Sequence, residues 1–334
     1  MINLFISKSN DPAYNLAVEE YLTYQYSTND PILYIWQNSN TIVVGRNQNT
    51  YAEINIAEAM KDEVKIIRRN TGGGTVFHDM GNVCYSLIVN NDKNSQSNFE
   101  IALQPIIQYL RSEGLNANFS GRNDIEIDGY KISGNAQLKN ITKILQHGTL
   151  LFDVELPRIL KYLNVDPEKI KHQKVKSKPA RVANIKAIMG EKNKEIELND
   201  FIENVINSYT KNEEVKWIEF TESEKESINE LFNDKYCSRE WTFAKNEDFE
   251  ISNKKYLETK GLIEIKTNVD KGKITNIKIY GDFLGYTGTE ALEFALINTD
   301  YDYHAVKNIL DKFSLKEIFG DNFEAEDILN LLFN

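Results

Sequence analysis

Arg68-Arg69-Asn70-Thr71-Gly72-Gly73-Gly74-Thr75-Val76-Phe77-His78-Asp79-Met80-Gly81-Asn82 is the stretch on which the reading of this chain turns. Three successive glycines permit backbone angles that other residues resist, and they let the backbone approach a ligand closely. Consecutive amide N–H groups in such a loop can form a concavity for an anion. Arg68 and Arg69 precede it, and a guanidinium suits two-point contact with phosphate or carboxylate. The alternative is a glycine-rich turn that binds nothing. Two familiar nucleotide loops are excluded. No Gly-Lys-Ser/Thr follows, as a P-loop requires, and the glycines lead into a strand-like segment rather than the helix of a Rossmann fingerprint.

The segments around the loop read as alternating strands and helices. Lys65–Arg69 enters it as a strand and Val83–Val89 leaves it as another. Upstream, Asn3–Ser7 is a short strand. Asp11-Pro12 then marks a helix start, with Asp as cap, Pro at the first turn, and Leu16, Ala17, Tyr21 and Leu22 on one apolar face. Ile32–Trp36 and Thr41–Val44 read as two strands joined by a polar turn, the second ending at Gly45-Arg46-Asn47-Gln48-Asn49. Downstream, Phe99–Gly114 is helical, and Gly148–Phe152 is a strand. Asp128-Gly129 between Ile125-Glu126-Ile127 and Tyr130-Lys131-Ile132 is a hairpin signal. From about residue 240 the pattern shifts to a compact unit, with strands over 261–266 and 274–280 and a helical stretch over 300–319. A boundary falls within 242–250, giving units of 1–245 and 246–334.

Lys131 follows the tight turn and precedes Ile132-Ser133-Gly134-Asn135-Ala136. A hairpin strand holds an ammonium more rigidly than a loop does, and such a cation could bridge a carboxylate and a phosphate; the alternative is a solvated surface lysine. His78 and Asp79 are neighbours in a strand-like segment, so they point to opposite faces and do not jointly grip one ion. His78 reads as a hydrogen-bonded structural group, and His147, before Gly148-Thr149, as a group facing the ligand. The basic stretch Lys161–Lys186 is either a solvated loop or a flap that closes over the site or steers an acidic partner.

Bulk properties narrow the class. The chain has 334 residues, 41% of them hydrophobic, and a formal net charge of −11. This supports a sizeable core and about two domains, and it argues against a nucleic-acid binder. Cys84 and Cys237, far apart, form no metal or redox motif. With no signal-peptide pattern and no apolar run of membrane-spanning length, the expected location is the cytoplasm.

The glycine stretch resembles the lipoate–protein ligase pattern Arg-Arg-x-Ser-Gly-Gly-Gly-x-Val-Phe-His-Asp-x-Gly-Asn, with Thr71 in place of Ser. Further segments are similar in order: Asp11-Pro12 with Asn15-Leu16-Ala17 and Glu19-Glu20, Gly45–Asn49, Gly121-Arg122-Asn123-Asp124, Lys131–Ala136, His147–Leu151 and Gly281-Asp282-Phe283. The resemblance implies an α/β (α+β) fold: a catalytic domain like that of biotin protein ligases, followed by a small C-terminal α+β accessory domain. It implies that lipoate and ATP, with Mg²⁺, give lipoyl-adenylate and pyrophosphate. A lysine of an acceptor lipoyl domain (a 2-oxoacid dehydrogenase E2 subunit or the glycine-cleavage H protein) then takes the acyl group. By motif, Arg69, Gly74, Thr75, Val76, Phe77 and Asn82 would line the adenylate site. Lys131 would be catalytic, contacting the lipoyl carbonyl and the α-phosphate. Asp124 would lie near the adenylate or its metal. Arg69, Gly73, Gly74, Lys131 and His147 would meet lipoate, and apolar residues of the early strands would hold its dithiolane tail. Two rivals share the fold: an octanoyl or lipoyl transferase using Cys84 as nucleophile without ATP, and a lipoate-binding protein without catalysis.

Overall fold

The computed structural model describes residues 1–91, 99–120, 122–164, 181–192, 194–243 and 249–333. Among them, nine strands build one mixed sheet. These are β1 (Ile2–Ile6), β2 (Ile32–Trp36), β6 (Asn82–Asn90), β7 (Ala117–Ser120), β8 (Asp124–Ile127), β9 (Tyr130–Lys139), β10 (Lys143–Leu151), β11 (Arg181–Val182) and β12 (Val215–Trp217). Their order is β12-β1-β2-β6-β10-β9-β8-β7, with β11 alongside β9. Both faces are covered. On β2, Leu33 and Ile35 face helices Phe99–Ser112 and Leu198–Thr210, while Ile32, Tyr34 and Trp36 face helix Pro12–Tyr24. That two-sided burial explains an uninterrupted apolar run in a strand of period two.

Asp11 caps its helix through Oδ1, which accepts from the Ala13 and Tyr14 amides at 2.9 and 3.2 Å. The helix thereby carries Leu16, Glu19 and Glu20 beneath the glycine stretch. A second sheet, β4-β3-β5, consists of β3 (Thr41–Val44), β4 (Lys65–Arg68) and β5 (Val76–His78). The two strands read as joined by a polar turn, β2 and β3, are both present but lie in different sheets. β2 is flanked by β1 and β6, while β3 turns Ile42 and Val44 toward Phe77 and Tyr162 in a core of its own. The glycine loop joins β4 to β5, both of which pair with β3.

β13 (Ile251–Leu257), β14 (Gly261–Asp270) and β15 (Lys273–Gly281) form an antiparallel sheet in the C-terminal unit. The stretch read as helical over 300–319 contains two helices, Tyr303–Leu310 and Leu315–Phe319. Helices Glu290–Leu296 and Ala325–Phe333, not anticipated, complete this core. The strand expected to begin at Gly148 starts at Lys143. No helix among the described residues is long and apolar enough to cross a membrane.

Candidate active site

A cavity of about 170 Å³ opens between the glycine loop and strands β9 and β10. Its buried end is lined by Leu16, Trp36, Val43, His78, Cys84 and His147. Its more exposed end presents Gly74, Thr75, Asn123, Lys131 and Gly134. Trp36 and Val43 belong to the early strands assigned to an apolar tail. An apolar slot closed at one end and polar at the other suits a molecule with a greasy tail and a reactive head.

Each glycine of the loop has a different reason. Gly73 has φ +86°, where a side chain is strained. A methyl on Gly72 would lie 2.7 Å from the Phe283 carbonyl oxygen of the C-terminal unit. A methyl on Gly74 would meet no protein atom within 4 Å, so nothing in the chain demands glycine there and the space it leaves faces the cavity. The Gly73 amide is already committed, donating to Phe283 O at 3.2 Å. Among the described residues, no chain carbonyl is paired with the Gly74 or Thr75 amide outside the strands.

The two arginines hold the backbone. Arg69 donates to Thr71 Oγ1 at 2.9 Å and to the carbonyls of Val43, Gly72 and Gly74 at 3.2, 2.6 and 2.8 Å. Arg68 donates to the carbonyls of Gly45, Arg46, Gln48, Trp241 and Thr242 and to Thr50 Oγ1. Burial pulls each guanidinium down to about 10, which leaves both charged at neutral pH. Arg69 lines the cavity, but its nitrogens are occupied by the loop; two-point grip on an anion by this pair is not the arrangement found.

The hairpin forms as read. Asp128 and Gly129 have φ of 51° and 80°, the positive pair that the tightest hairpin turn needs. A register shift at Ile125/Glu126 follows, bringing Lys131 opposite Glu126 and Gly134 opposite Asp124. Lys131 Nζ lies 2.8 Å from Asp124 Oδ1 with its side chain 30% exposed, at the cavity mouth. β11 runs beside this strand, with Val182 opposite Lys131.

Of the residues expected at the site, Arg69, Gly73, Gly74, Thr75, Val76, Lys131 and His147 line the cavity. Phe77 does not: strand alternation turns its ring toward Ile42 and Tyr162 on the opposite face. Asn82 does not either; it is fully buried, its amide donating to Cys84 Sγ at 3.2 Å. Asp124 reaches the site through Lys131. Lys169, Lys171, Lys174, Lys176 and Lys178 of the proposed flap lie outside the described residues, as do Gly121 and the junction at residue 245. Asn123, Asn135 and Thr149 line the cavity without having been singled out, because each is an ordinary polar residue until the hairpin and β10 bring it there.

His78 and Cys84 meet at the closed end, Cys84 Sγ 3.6 Å from His78 Nδ1. Burial lowers His78 to about 3 and pushes the Cys84 thiol well up, so the pair is neutral. A thiol held protonated is a poor nucleophile.

Comparison with known proteins places these features in a wider set. Residues 11–210 match the family model of the lipoyl protein ligase A/B catalytic domain, and residues 246–332 match that of the bacterial lipoate protein ligase C-terminus. Lipoate–protein ligase 1 of Staphylococcus aureus is 36% identical over 330 residues, covering 98% of this chain and 99% of its own. The crystal structure of LipL1 of P. falciparum in complex with lipoate aligns with TM-score 0.76 at 25% identity, covering 99% and 97% of the two chains. A lipoate-protein ligase A bound with ATP aligns with TM-score 0.61 at 22% identity, covering 72% and 97%, a likeness of fold.

Proposed function

The chain belongs to the lipoyl protein ligase A/B family, and on that premise we propose how its cavity carries out the reaction. The protein is an ATP-dependent ligase that attaches lipoate to acceptor proteins. In our reading the dithiolane tail lies in the slot between Trp36, Val43, Leu16 and Cys84, and the carboxylate emerges beside Lys131 and Gly74. That carboxylate attacks the α-phosphorus of ATP, pyrophosphate leaves, and a mixed anhydride remains. The Lys131 ammonium, oriented by Asp124, offsets charge on the α-phosphate and then polarises the acyl carbonyl. The amides of Gly74 and Thr75 supply further fixed donors. A neutral lysine amine of the acceptor next attacks the carbonyl, AMP leaves, and the amide loses its extra proton. We assign the acceptor as a lipoyl domain, residues 1–245 as the catalytic unit, 246–334 as the accessory unit, and the cytoplasm as the location.

A divalent cation bound with ATP supplies charge neutralisation at the phosphates. Among the described residues no group of three or more His, Cys, Asp or Glu is placed to hold a metal. The protein's share would be a single carboxylate, which is normal for Mg²⁺ held mostly by phosphate and water. Asp124, at the mouth, fits that role, with Lys131 as its present partner.

The observation that carries this reading is Lys131 brought to the same cavity mouth as Gly74 and Thr75. Incubating the protein with lipoate, Mg²⁺, ATP and a lipoyl domain should add one lipoyl mass to the domain and release pyrophosphate. Lys131→Ala should slow pyrophosphate release about 100- to 1000-fold; turnover within threefold of the parent would refute the role given to Lys131. Cys84→Ala should still lipoylate with ATP, whereas loss of transfer from an acyl carrier in the absence of ATP would favour the transferase.

A further inference from the structure

We propose that His147 is a positioning residue: it acts through Thr71 to hold the Gly72–Gly74 loop in its working shape, rather than only lining the slot for the tail. The inference rests on the ligase reading of the cavity.

His147 is 7% exposed, and both ring nitrogens are engaged. Nδ1 lies 2.9 Å from Glu19 Oε1, and Nε2 lies 2.8 Å from Thr71 Oγ1. We assign the directions starting from Arg69, which can only donate. Its Nε–H goes to Thr71 Oγ1, so the Thr71 hydroxyl hydrogen is free to point at His147 Nε2. In this assignment Thr71 donates to Nε2, and the Nδ1–H donates to Glu19. Ser86 donates to the same Glu19 oxygen, and Trp36 Nε1–H donates to Ser86 at 3.0 Å. The assigned tautomer satisfies every group in the chain from Trp36 to Arg69.

The far end of this relay is the loop. Arg69 Nη2 grips the carbonyls of Gly72 and Gly74 on either side of Gly73, whose positive φ makes the segment a sharp corner. Thr71 is the only side chain among the described residues that accepts from Arg69. Glu19, 2% exposed on helix Pro12–Tyr24, anchors the other end in the core. Loss of the imidazole leaves the buried Thr71 hydroxyl and Glu19 carboxylate without their shared partner, and buried polar groups left this way rearrange their neighbours.

The test uses four variants of the full chain: His147→Leu, which fills the space and breaks both bonds; His147→Gln, which can donate to Glu19 and accept from Thr71; Thr71→Val; and the Leu/Val double variant. Lipoate- and ATP-dependent pyrophosphate release should show kcat lowered about 100-fold in His147→Leu and in Thr71→Val, the scale expected of misplaced reacting groups. The KM for lipoate should change by less than about threefold in both, because Leu keeps the slot filled and apolar at position 147 and Thr71 is not among the residues lining it. The double variant should be no worse than the poorer single, because both residues serve one network. His147→Gln should recover at least about tenfold of the loss. Hydrogen exchange at the Gly72–Gly74 amides should be at least about tenfold faster in Leu and Val variants than in the parent or in His147→Gln. A raised lipoate KM with kcat intact, losses that multiply in the double variant, or unchanged loop exchange would overturn the proposal. Accelerated loop exchange in the Leu and Val variants of a parent that itself releases no pyrophosphate would support the positioning and sink the ligase reading alone.

Discussion

Arg68 and Arg69 are adjacent, both buried, and both spend their donors on main-chain carbonyls, so their charge serves to fold an irregular segment that has too few strand partners of its own. Replacing Arg68 with Met removes the partner of five carbonyls and of Thr50. Chemical denaturation should report a loss of about 3 kcal/mol, in the range for a broken buried charged network. His78 makes a pH prediction. Its native value near 3 lies below the ordinary 6.5, because burial disfavours the charged ring. Between those two values the unfolded chain binds a proton that the native one does not, so stability contributed by His78 is complete above pH 6.5 and lost as pH falls toward 3. The slope has an upper bound of about 1.4 kcal/mol per pH unit. Denaturation midpoints from pH 7 to 5 should fall less steeply in His78→Gln than in the parent.

At the scale of elements, the Asp128-Gly129 turn sets where Lys131 stands. Gly129 at φ 80° has open space around a would-be Cβ, so its substitution tests the backbone conformation and not a clash. Gly129→Ala should cost about 1 kcal/mol in thermal or chemical unfolding. It should also lower pyrophosphate release, since the strained turn lies two residues from the ammonium. A single π-helical turn, Phe232–Tyr236, makes a comparable contribution from the other side. It aims Lys235 and Tyr236 at Glu20, which also accepts from Asn70 at the entrance to the glycine loop. The loop is thus tied to two helices before any ligand arrives.

For the whole molecule, the decisive contact is between the glycine loop and the segment that follows β15. Gly73 N–H donates to Phe283 O, Gly281 N–H to Asn47 O, and Lys139 N–H to Tyr286 O, with Arg46 paired to Glu290 at 3.1 Å. The C-terminal unit therefore touches the glycine loop by backbone, where side-chain size matters most. Gly72→Ala places a methyl against the Phe283 carbonyl. The Gly73 amide should then exchange faster with solvent than in the parent, while the C-terminal core around Ile265, Ile279 and Leu329 keeps its protection. Equal protection at Gly73 in both proteins would mean that the loop and the C-terminal unit separate readily without the substitution.

Local chemistry was legible in the residues themselves: Asp11-Pro12 as a helix start, Asp128-Gly129 as a hairpin, the triple glycine as a loop entering a strand, and Lys131 as a cation on a rigid mount. Each depends on a few neighbouring residues whose backbone preferences are strong. The assembly of the closed end of the slot was not legible, although His147 and the early strands each read as facing a ligand. Trp36, Cys84 and His147 come from separate strands, and only the sheet order β2-β6-β10 sets them side by side. The separation of β2 from β3, the outward turn of Phe77 and the engagement of both arginines by carbonyls had the same cause. Which face of a strand is buried, and which acceptor a donor finds, is decided by partners far away in the chain, and the tertiary structure alone brings those partners within reach.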